Sequence, residues 1–516
     1  MIEKFKKIPN YINTCKPLNQ WLHLMVWICF ALMYVYICIP GISVSNSLYY
    51  PSDSSVFHMI GKLWLEGVLP YRDLFDHKGP VLYMFYALGH IIWAGKGGVF
   101  LLLSICLGIA FFYEYRIARL FVGRFESIII TLSSIFLCGS MYSGLSEDFS
   151  LPFIVIPLYY FLRHLIHDRK ASSINSVHWL LAGLCFGVIV LIRPNNAAVL
   201  CAAVAFFGFK IIFEKKYVAL IRAIILLVIG TLVVCIPTFA LFYANGTLYD
   251  CIYGSYIFNF LFAGQGIAEK TLNTWLKIVE FSIPFWTVLI FGLILVKKKI
   301  LARKIYVAEL FISFFSMLCL IPGKTYPHYF IFYSPCLIFA LICSLQFIQS
   351  LKRKSHYLYT FLILAVGYSH FAISSLAIIR YGIYGAFFPL KHDKHAKEVE
   401  TLQTCKSMRS VIPDNEKNSV LYFGGQGNVY LYMGVTPPIK YFMLQDFLWN
   451  FGDSIKVDME KEFKGNKAPK WVIVRDFQLS EIENTPLPEY LRNYCEEVKF
   501  QDAESEFKLF RRKSSI

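Results

Sequence analysis

Long apolar blocks separated by short polar segments dominate the pattern of this 516-residue chain. Eleven blocks have the length of about 17 to 25 residues that an α-helix needs to cross the hydrocarbon core of a bilayer. They lie near residues 21–40, 99–116, 127–143, 150–165, 178–193, 197–213, 218–243, 280–296, 305–322, 328–349 and 357–379. The pattern therefore predicts an α-helical polytopic membrane protein with eleven transmembrane helices.

A twelfth apolar stretch, Val81 to Gly95, is short for a span and contains His90. We expect it to form a re-entrant or interfacial helix. If it does not cross, 21 Lys and Arg residues fall in short segments on one side of the membrane, and 8 fall in longer loops on the other. The positive-inside rule then places the N-terminus in the cytoplasm, and the first loop at 41–80 faces outward together with the C-terminal segment.

The composition supports a membrane protein and argues against nucleic-acid binding, redox chemistry and zinc binding. Hydrophobic residues make up 57% of the chain and charged residues 16%, against roughly 25% charged in an average soluble domain. The net charge of +16 comes from clusters between apolar blocks, so nucleic acid is not an expected partner. Most of the cysteines lie inside apolar blocks and no CxxC pair occurs, so no redox or zinc site is predicted.

The composition changes near residue 385, where charged residues become frequent and apolar runs shorten. We predict two domains, a transmembrane module at 1–384 and a small soluble α/β domain at 385–516 on the outer face. Ser419 to Phe423, Trp471 to Arg475 and, more weakly, Phe507 to Phe510 are typical of buried strands, and helical patterns occupy 394–410 and 487–494. The glycines at 424–427 indicate a strand-to-helix turn, since they are too few for a dinucleotide-binding fingerprint.

Candidate chemistry lies at the predicted outer ends of the helices, because the centres of the spans hold almost no charge. The first loop is the richest segment, with three carboxylates and three basic side chains: Asp53, Arg72, Asp73, Asp76, His77 and Lys78. Such a loop could supply a general base and cations for a phosphate leaving group. The alternative is a solvated loop whose charges merely avoid the bilayer.

Other outward-facing candidates are more ambiguous. Glu147 and Asp148 form either a second carboxylate pair or a helix N-terminal cap. For Arg193 the two interpretations are substrate binding and snorkelling of its side chain to the membrane interface. For His328 and Tyr329 they are a substrate site and the interfacial aromatic belt. Lys324 is an outward cation that runs against the charge bias, which favours a functional role.

The first-loop motif resembles that of a known superfamily. Asp53, followed by Gly67-x-x-Pro70-Tyr71-x-Asp73-x-x-Asp76-His77-Lys78-x-Pro80, resembles the first periplasmic loop of GT-C membrane glycosyltransferases. The similarity is to the bacterial branch related to protein O-mannosyltransferases and the lipid A aminoarabinose transferase. In layout it covers residues 20 to 380, with weaker motifs at 146–148 and at Tyr326-Pro327-His328-Tyr329.

This resemblance implies an enzyme of the bacterial inner membrane that transfers a sugar with inversion. The donor would be a polyprenyl-phosphate-linked hexose or pentose, and the acceptor an envelope glycan, lipid or protein. Asp53 resembles the candidate base, and Asp76 with Lys78 resembles the acid and cation pair at the end of the loop. Glu147 or Asp148 resembles the second-loop acid. This pair departs from the lone Asp or DxD of the relatives, so a Mg²⁺ or Mn²⁺ cofactor stays open and no metal ligand is assigned.

Elementary chemistry agrees with the resemblance. A polyprenyl phosphate leaves without protonation when positive charge meets the developing negative charge, and Lys78, Arg193, Lys324 and His328 are the available cations. Two other hypotheses remain: a transporter or flippase of lipid-linked saccharide, and a non-catalytic scaffold whose outer domain binds partners. The lack of charge near the midplane counts against a transporter.

Overall fold

The structure is a computed structural model, and it describes residues 17–167, 169–261, 270–321, 326–351, 364–387, 393–443, 453–475, 485–501 and 506–513. Helices dominate the described residues. The first nine in chain order are α1 Pro17–Cys38, α2 Ser52–Leu65, α3 Pro80–Ile92, α4 Gly97–Arg119, α5 Arg124–Leu137, α6 Ser146–Ile166, α7 Ser176–Ile192, α8 Ala198–Phe213 and α9 Tyr217–Ala244.

The second half of the chain contains further helices and a small sheet. The helices are α10 Leu248–Ile252, which continues as a π-helix over Tyr253–Ile257, α11 Leu272–Phe281, α12 Ile283–Lys297, α13 Arg303–Leu318, a 3₁₀ segment Pro327–Tyr333, α14 Ser334–Gln349, α15 Ser369–Phe387, α16 Asp393–Val411, α17 Asn428–Met433, α18 Asp453–Lys464 and α19 Leu487–Tyr494. The strands are β1 Val420–Tyr422, β2 Trp471–Arg475, β3 Cys495–Val498 and β4 Phe507–Arg512.

The predicted polytopic membrane architecture is confirmed. Within the described ranges, seven helical stretches are long and apolar enough to cross a bilayer: Asn19–Cys38, Gly97–Arg119, Ser146–Ile166, Pro194–Phe213, Tyr217–Ala244, Leu272–Lys297 and Pro327–Gln349. Three other predicted spans coincide with α5, α7 and α13, of 14, 17 and 16 residues. The last predicted span overlaps α15, and its first part, 357–363, lies outside the described residues.

Most of these apolar helices belong to one compact unit, which comprises Met1–Ile39, Phe100–Phe239 and Ala263–Ile383. Glycines allow α7 and α9 to cross closely. A Cβ atom on Gly183 would lie 2.2 Å from the carbonyl oxygen of Leu227, and one on Gly230 would lie 2.4 Å from that of Leu180. Small residues at such crossings let two backbones approach where lipid offers no hydrophobic driving force.

The second compact unit comprises Pro40–Val99, Ala240–Phe262 and Tyr384–Ile516. Its sheet has the strand order β1-β2-β4-β3. β1 and β2 are parallel, with Val420 opposite Trp471, and β4 is antiparallel to both of its neighbours. The three predicted strands are present, and β3, α17 and α18 are additions that the sequence pattern did not predict.

The first loop packs with the C-terminal segment inside this second unit. The backbone N–H of Phe75 donates to the carbonyl oxygen of Lys440 over 2.9 Å, and the N–H of Gly427 donates to Oγ of Ser55 over 2.8 Å. The short apolar stretch at Val81 to Gly95 forms most of α3, which packs on α2. The two helices touch at Gly61, where a Cβ atom would lie 2.8 Å from Cβ of Tyr86. The first loop is therefore held by hydrogen bonds from the C-terminal segment.

Candidate functional site

Residues 69–80 fold into a buried loop within the second unit. Tyr71 has a left-handed backbone conformation, φ 68°, which is uncommon for a residue other than glycine. Its N–H donates to the carbonyl oxygen of Leu74 over 2.8 Å, and its hydroxyl donates to the carbonyl oxygen of Lys78 over 2.8 Å. A strained residue held by bonds at both its ends is typical of a loop whose shape matters for function.

Asp76 lies at the centre of this loop and is only 3% exposed. Its Oδ1 accepts the backbone N–H of His77 over 2.8 Å, and its Oδ2 accepts the hydroxyl of Tyr83, on the first turn of α3, over 2.5 Å. Burial alone would raise the pKa of Asp76. The hydrogen bond and charge of His77, the charge of Lys78 and the hydrogen bond from Tyr83 instead hold that pKa below its ordinary value. Asp76 is thus held as a buried anion.

The next two residues extend from Asp76 as a short polar chain. Nδ1 of His77 lies 3.2 Å from Oδ1 of Asp76, and Nε2 of His77 lies 2.8 Å from Nζ of Lys78. The imidazole of His77 therefore lies between the carboxylate of Asp76 and the ammonium of Lys78, in contact with both.

A distant segment fixes the backbone of the same loop. Oγ of Ser255 donates to the carbonyl oxygen of Lys78 over 3.4 Å, and Nδ2 of Asn259 donates to the carbonyl oxygen of His77 over 2.6 Å. Gly254 is required there, since a Cβ atom on it would lie 2.8 Å from the ring of Tyr71. The sequence alone assigns no role to Gly254, Ser255, Asn259 or Tyr83, because no local pattern links them to the motif.

Asp53, Arg72 and Asp73 have more open surroundings. Asp53 is exposed in the first turn of α2. Arg72 pairs with its neighbour Asp73, Nη2 to Oδ2, over 2.8 Å. Burial alone would raise the pKa of Asp73, but the hydrogen bonds from Arg72 and from the Leu69 N–H, with the charge of Lys467, lower it below its ordinary value. Asp53 is therefore the more accessible carboxylate of the first loop.

Three of the predicted site residues, all in the first unit, form a separate cluster. Nη1 of Arg193 donates to Oε1 of Glu147 over 2.6 Å, and the guanidinium lies 4.1 Å from the ring centre of Tyr329. Oγ of Ser146 donates to Oε2 of Glu147 over 2.9 Å. Glu147, Arg193 and Tyr329, which are distant in sequence, are thus brought together as a buried ion pair on an aromatic face.

Asp148 has a structural role in this unit. Its Oδ2 accepts the backbone N–H groups of Ser143, Gly144 and Leu145 over 2.9, 2.5 and 3.2 Å. These bonds cap the start of α6, as one of the two sequence interpretations proposed. His328 stacks on Tyr326 with ring centres 5.5 Å apart. Lys324 lies outside the described residues.

Comparison with known proteins places this geometry in a known fold. ArnT from Cupriavidus metallidurans bound to undecaprenyl phosphate aligns with a TM-score of 0.55 at 12% identity, covering 96% of this chain and 98% of that one. The same protein in the apo state aligns with a TM-score of 0.53 at 13% identity, covering 97% and 99%. The chain has a GT-C type fold. No family model and no curated protein matches its sequence.

The side chains of the candidate site show whether it could bind a divalent cation. Within the part of the chain that the structure describes, no group of three or more His, Cys, Asp or Glu side chains is arranged to hold a metal ion. The oxygens of Asp76 accept hydrogen bonds from His77 and Tyr83, and Glu147 is paired with Arg193. These side chains do not fit a Mg²⁺ or Mn²⁺ site, so we assign no step to a cation.

Proposed function

We propose that this protein is an integral-membrane glycosyltransferase that moves a sugar from a polyprenyl-phosphate-linked donor to an envelope glycan, lipid or protein, with inversion. The observation that carries the proposal is the ammonium of Lys78, held 2.8 Å from His77 beside the buried Asp76. The GT-C type fold supports it, since a protein of that fold has been crystallised with undecaprenyl phosphate.

The reaction requires one bond to form and one to break. The acceptor oxygen or nitrogen attacks the anomeric carbon, the bond from that carbon to the phosphate oxygen breaks, and the polyprenyl phosphate leaves with the electron pair. A carboxylate accepts the acceptor's proton. Negative charge grows on the phosphate oxygens during the step, so a fixed ammonium nearby stabilises the transition state more than the ground state.

Asp53 and Lys78 fit these two roles. Asp53 is exposed, so an acceptor can reach its carboxylate. Lys78 uses Nζ to contact His77, and an ammonium has three donors, so protons remain for a phosphate. Asp76 is a positioning residue in this scheme, because its oxygens already accept hydrogen bonds from His77 and Tyr83.

The cluster of the first unit has a supporting role in the proposal. Arg193 is neutralised by Glu147 in the described structure, so it would bind phosphate only by exchanging that partner. Either Glu147 or Asp148 is the second-loop acid of the proposal. Both oxygens of Glu147 accept hydrogen bonds, from Arg193 and Ser146, and Oδ2 of Asp148 accepts three backbone N–H groups. The distribution of Lys and Arg supports an outward-facing site. The bacterial inner membrane follows from the resemblance of the first-loop motif.

A transporter or flippase of lipid-linked saccharide is the second candidate. It would use the same cations to hold a head group without breaking the bond to the sugar. The buried Asp76–His77–Lys78 chain favours the enzyme, since an oriented ammonium beside a carboxylate serves charge development during a reaction.

Transfer from polyprenyl-phosphate sugars in proteoliposomes of the purified protein tests the proposal. Asp53→Asn should lower the turnover number by about 10²- to 10⁴-fold, the usual contribution of a general base. Glu66→Gln, an exposed acid directly after α2, is the matched control and should leave turnover unchanged. Undiminished transfer by Asp53→Asn would remove the base assignment, and translocation of the donor without product would support the transporter.

A further inference from the structure

A groove of about 250 Å³ lies within the first unit, between α1, α4 and α5. No candidate of the proposed reaction contributes to it. Trp27 and Tyr115 pack together in it, with ring centres 5.8 Å apart. The volume is below the roughly 300–1,000 Å³ of sites that enclose a whole drug-sized ligand. The groove therefore suits one segment of a longer molecule.

Two rows of side chains face each other along the groove. His23, Trp27 and Phe30 come from one face of α1, and Arg124, Ile128 and Leu132 come from one face of α5. The spacings of three, four and eight residues are those of a single helical face. The rows thus run from a basic pair at one end to purely apolar side chains, over roughly 10 Å of helix.

The basic end contains two nitrogen groups, the guanidinium of Arg124 and the imidazole of His23. Nη2 of Arg124 lies 3.5 Å from Nε2 of His23. Among the described residues, no carboxylate forms an ion pair with Arg124. A guanidinium is always charged and matches the geometry of phosphate oxygens. An anionic group placed between Arg124 and His23 would satisfy both.

Apolar side chains beside the groove are exposed. Val26 and Leu132, which line the groove, are exposed, and so are the neighbouring apolar side chains Phe125 and Ile129. On a helix that crosses a bilayer, such side chains contact acyl chains. A molecule in the groove can therefore enter sideways from the membrane.

We propose that this groove is a binding site for an anionic phospholipid of the bilayer, with its phosphate on Arg124 and His23 and part of one acyl chain against Trp27, Phe30 and Ile128. The basic end lies at the starts of α1 and α5. The distribution of Lys and Arg assigns those ends to the cytoplasmic side, opposite to the proposed transfer reaction. The ligand is for this reason a lipid of the cytoplasmic leaflet and not the sugar donor.

Native mass spectrometry of the purified full chain tests the site, with phosphatidylglycerol, phosphatidylcholine and a polyprenyl phosphate added in separate experiments. We expect phosphatidylglycerol to be retained in preference to the other two. Arg124→Gln should weaken its retention by about fivefold, the effect of one basic residue near an anionic lipid. Ile128→Trp, which fills the groove, should abolish retention.

Two control variants separate the groove from general effects. Ile129→Trp adds the same bulk to the exposed face of the same helix, and Arg169→Gln removes an exposed cation elsewhere. Both should retain phosphatidylglycerol as the unchanged protein does. Equal retention by all the variants, equal retention of phosphatidylcholine, or preferential retention of the polyprenyl phosphate would overturn the proposal. Because the site plays no part in the proposed transfer, sugar transfer by Ile128→Trp is measured separately.

Discussion

Tyr83 donates its hydroxyl to Oδ2 of Asp76 over 2.5 Å, inside a loop where both side chains are buried. This bond joins α3 to the carboxylate that contacts His77, and His77 in turn contacts Lys78. A hydrogen bond to a charged group is worth about 1.5–3 kcal/mol, so its loss affects both the stability and the geometry of the loop.

Tyr83→Phe should lower the thermal unfolding midpoint and reduce sugar transfer, because Asp76 loses one donor and the loop loosens. Tyr333→Phe is the matched control, since Tyr333 is fully buried and its hydroxyl has no hydrogen-bond partner among the described residues. A differential scanning measurement of both variants in detergent checks the stability part. Equal midpoints for the two variants would show that the bond to Asp76 contributes nothing.

Lys78→Met should reduce turnover by about 10²- to 10³-fold, the usual effect of removing one donor to a developing oxyanion. Lys78→Arg keeps the charge but displaces it and should retain part of the activity. The control is Lys62→Met, which removes a partly exposed lysine of α2 that pairs with Glu66. The steady-state turnover of all three is measured at saturating donor. A fully active Lys78→Met would exclude Lys78 as the phosphate partner.

The buried pair of Glu147 and Arg193 should behave as a coupled unit. Removing one partner leaves an uncompensated buried charge, which costs about 3–5 kcal/mol. Glu147→Gln and Arg193→Met should each lower the unfolding midpoint strongly, and the double variant should recover part of the loss. The double-mutant cycle from the three midpoints measures the coupling. Additive losses would show that the 2.6 Å contact carries no net interaction.

Asp76 should make the protein sensitive to acid. Its pKa in the folded protein is below the value of roughly 3.9 expected in the unfolded chain. The stabilisation is therefore complete above that unfolded value and is lost as the pH falls toward the folded pKa. Asp76→Asn should lower the midpoint near pH 7 and flatten its fall below about pH 5. The exposed Asp53→Asn is the control, and an unchanged acid profile in Asp76→Asn would contradict the assignment.

The membrane helices were predictable because the length of an apolar run is a direct consequence of bilayer thickness. The predicted spans at 21–40 and 218–243 correspond to Pro17–Cys38 and Tyr217–Ala244. The adjacency of Asp76, His77 and Lys78 was equally visible, since consecutive residues in a tight loop stay together. Local patterns therefore account for the helices and for the centre of the candidate site.

Long-range contacts could not be predicted from the sequence alone. Asn259 reaches the carbonyl oxygen of His77 across 182 residues, and no spacing or composition signals that pairing. Lys96 is one of the eight Lys and Arg residues that the sequence analysis assigns to the outward loops. It is buried, and it donates to the carbonyl oxygen of Asn46 over 2.7 Å. Desolvation lowers the pKa of Lys96 to about 7, against a weaker opposing effect of Glu398. Such contacts depend on which distant segments the fold brings together.

The most direct test of the account is the fate of the donor phosphate. Purified protein in proteoliposomes receives a polyprenyl-phosphate sugar and a membrane extract as the source of acceptor, and phosphorus NMR follows the lipid. The account predicts release of one polyprenyl monophosphate for each sugar transferred, and release that is slower by about 10²- to 10⁴-fold with Asp53→Asn. A donor that stays intact while it moves from one leaflet to the other would contradict it.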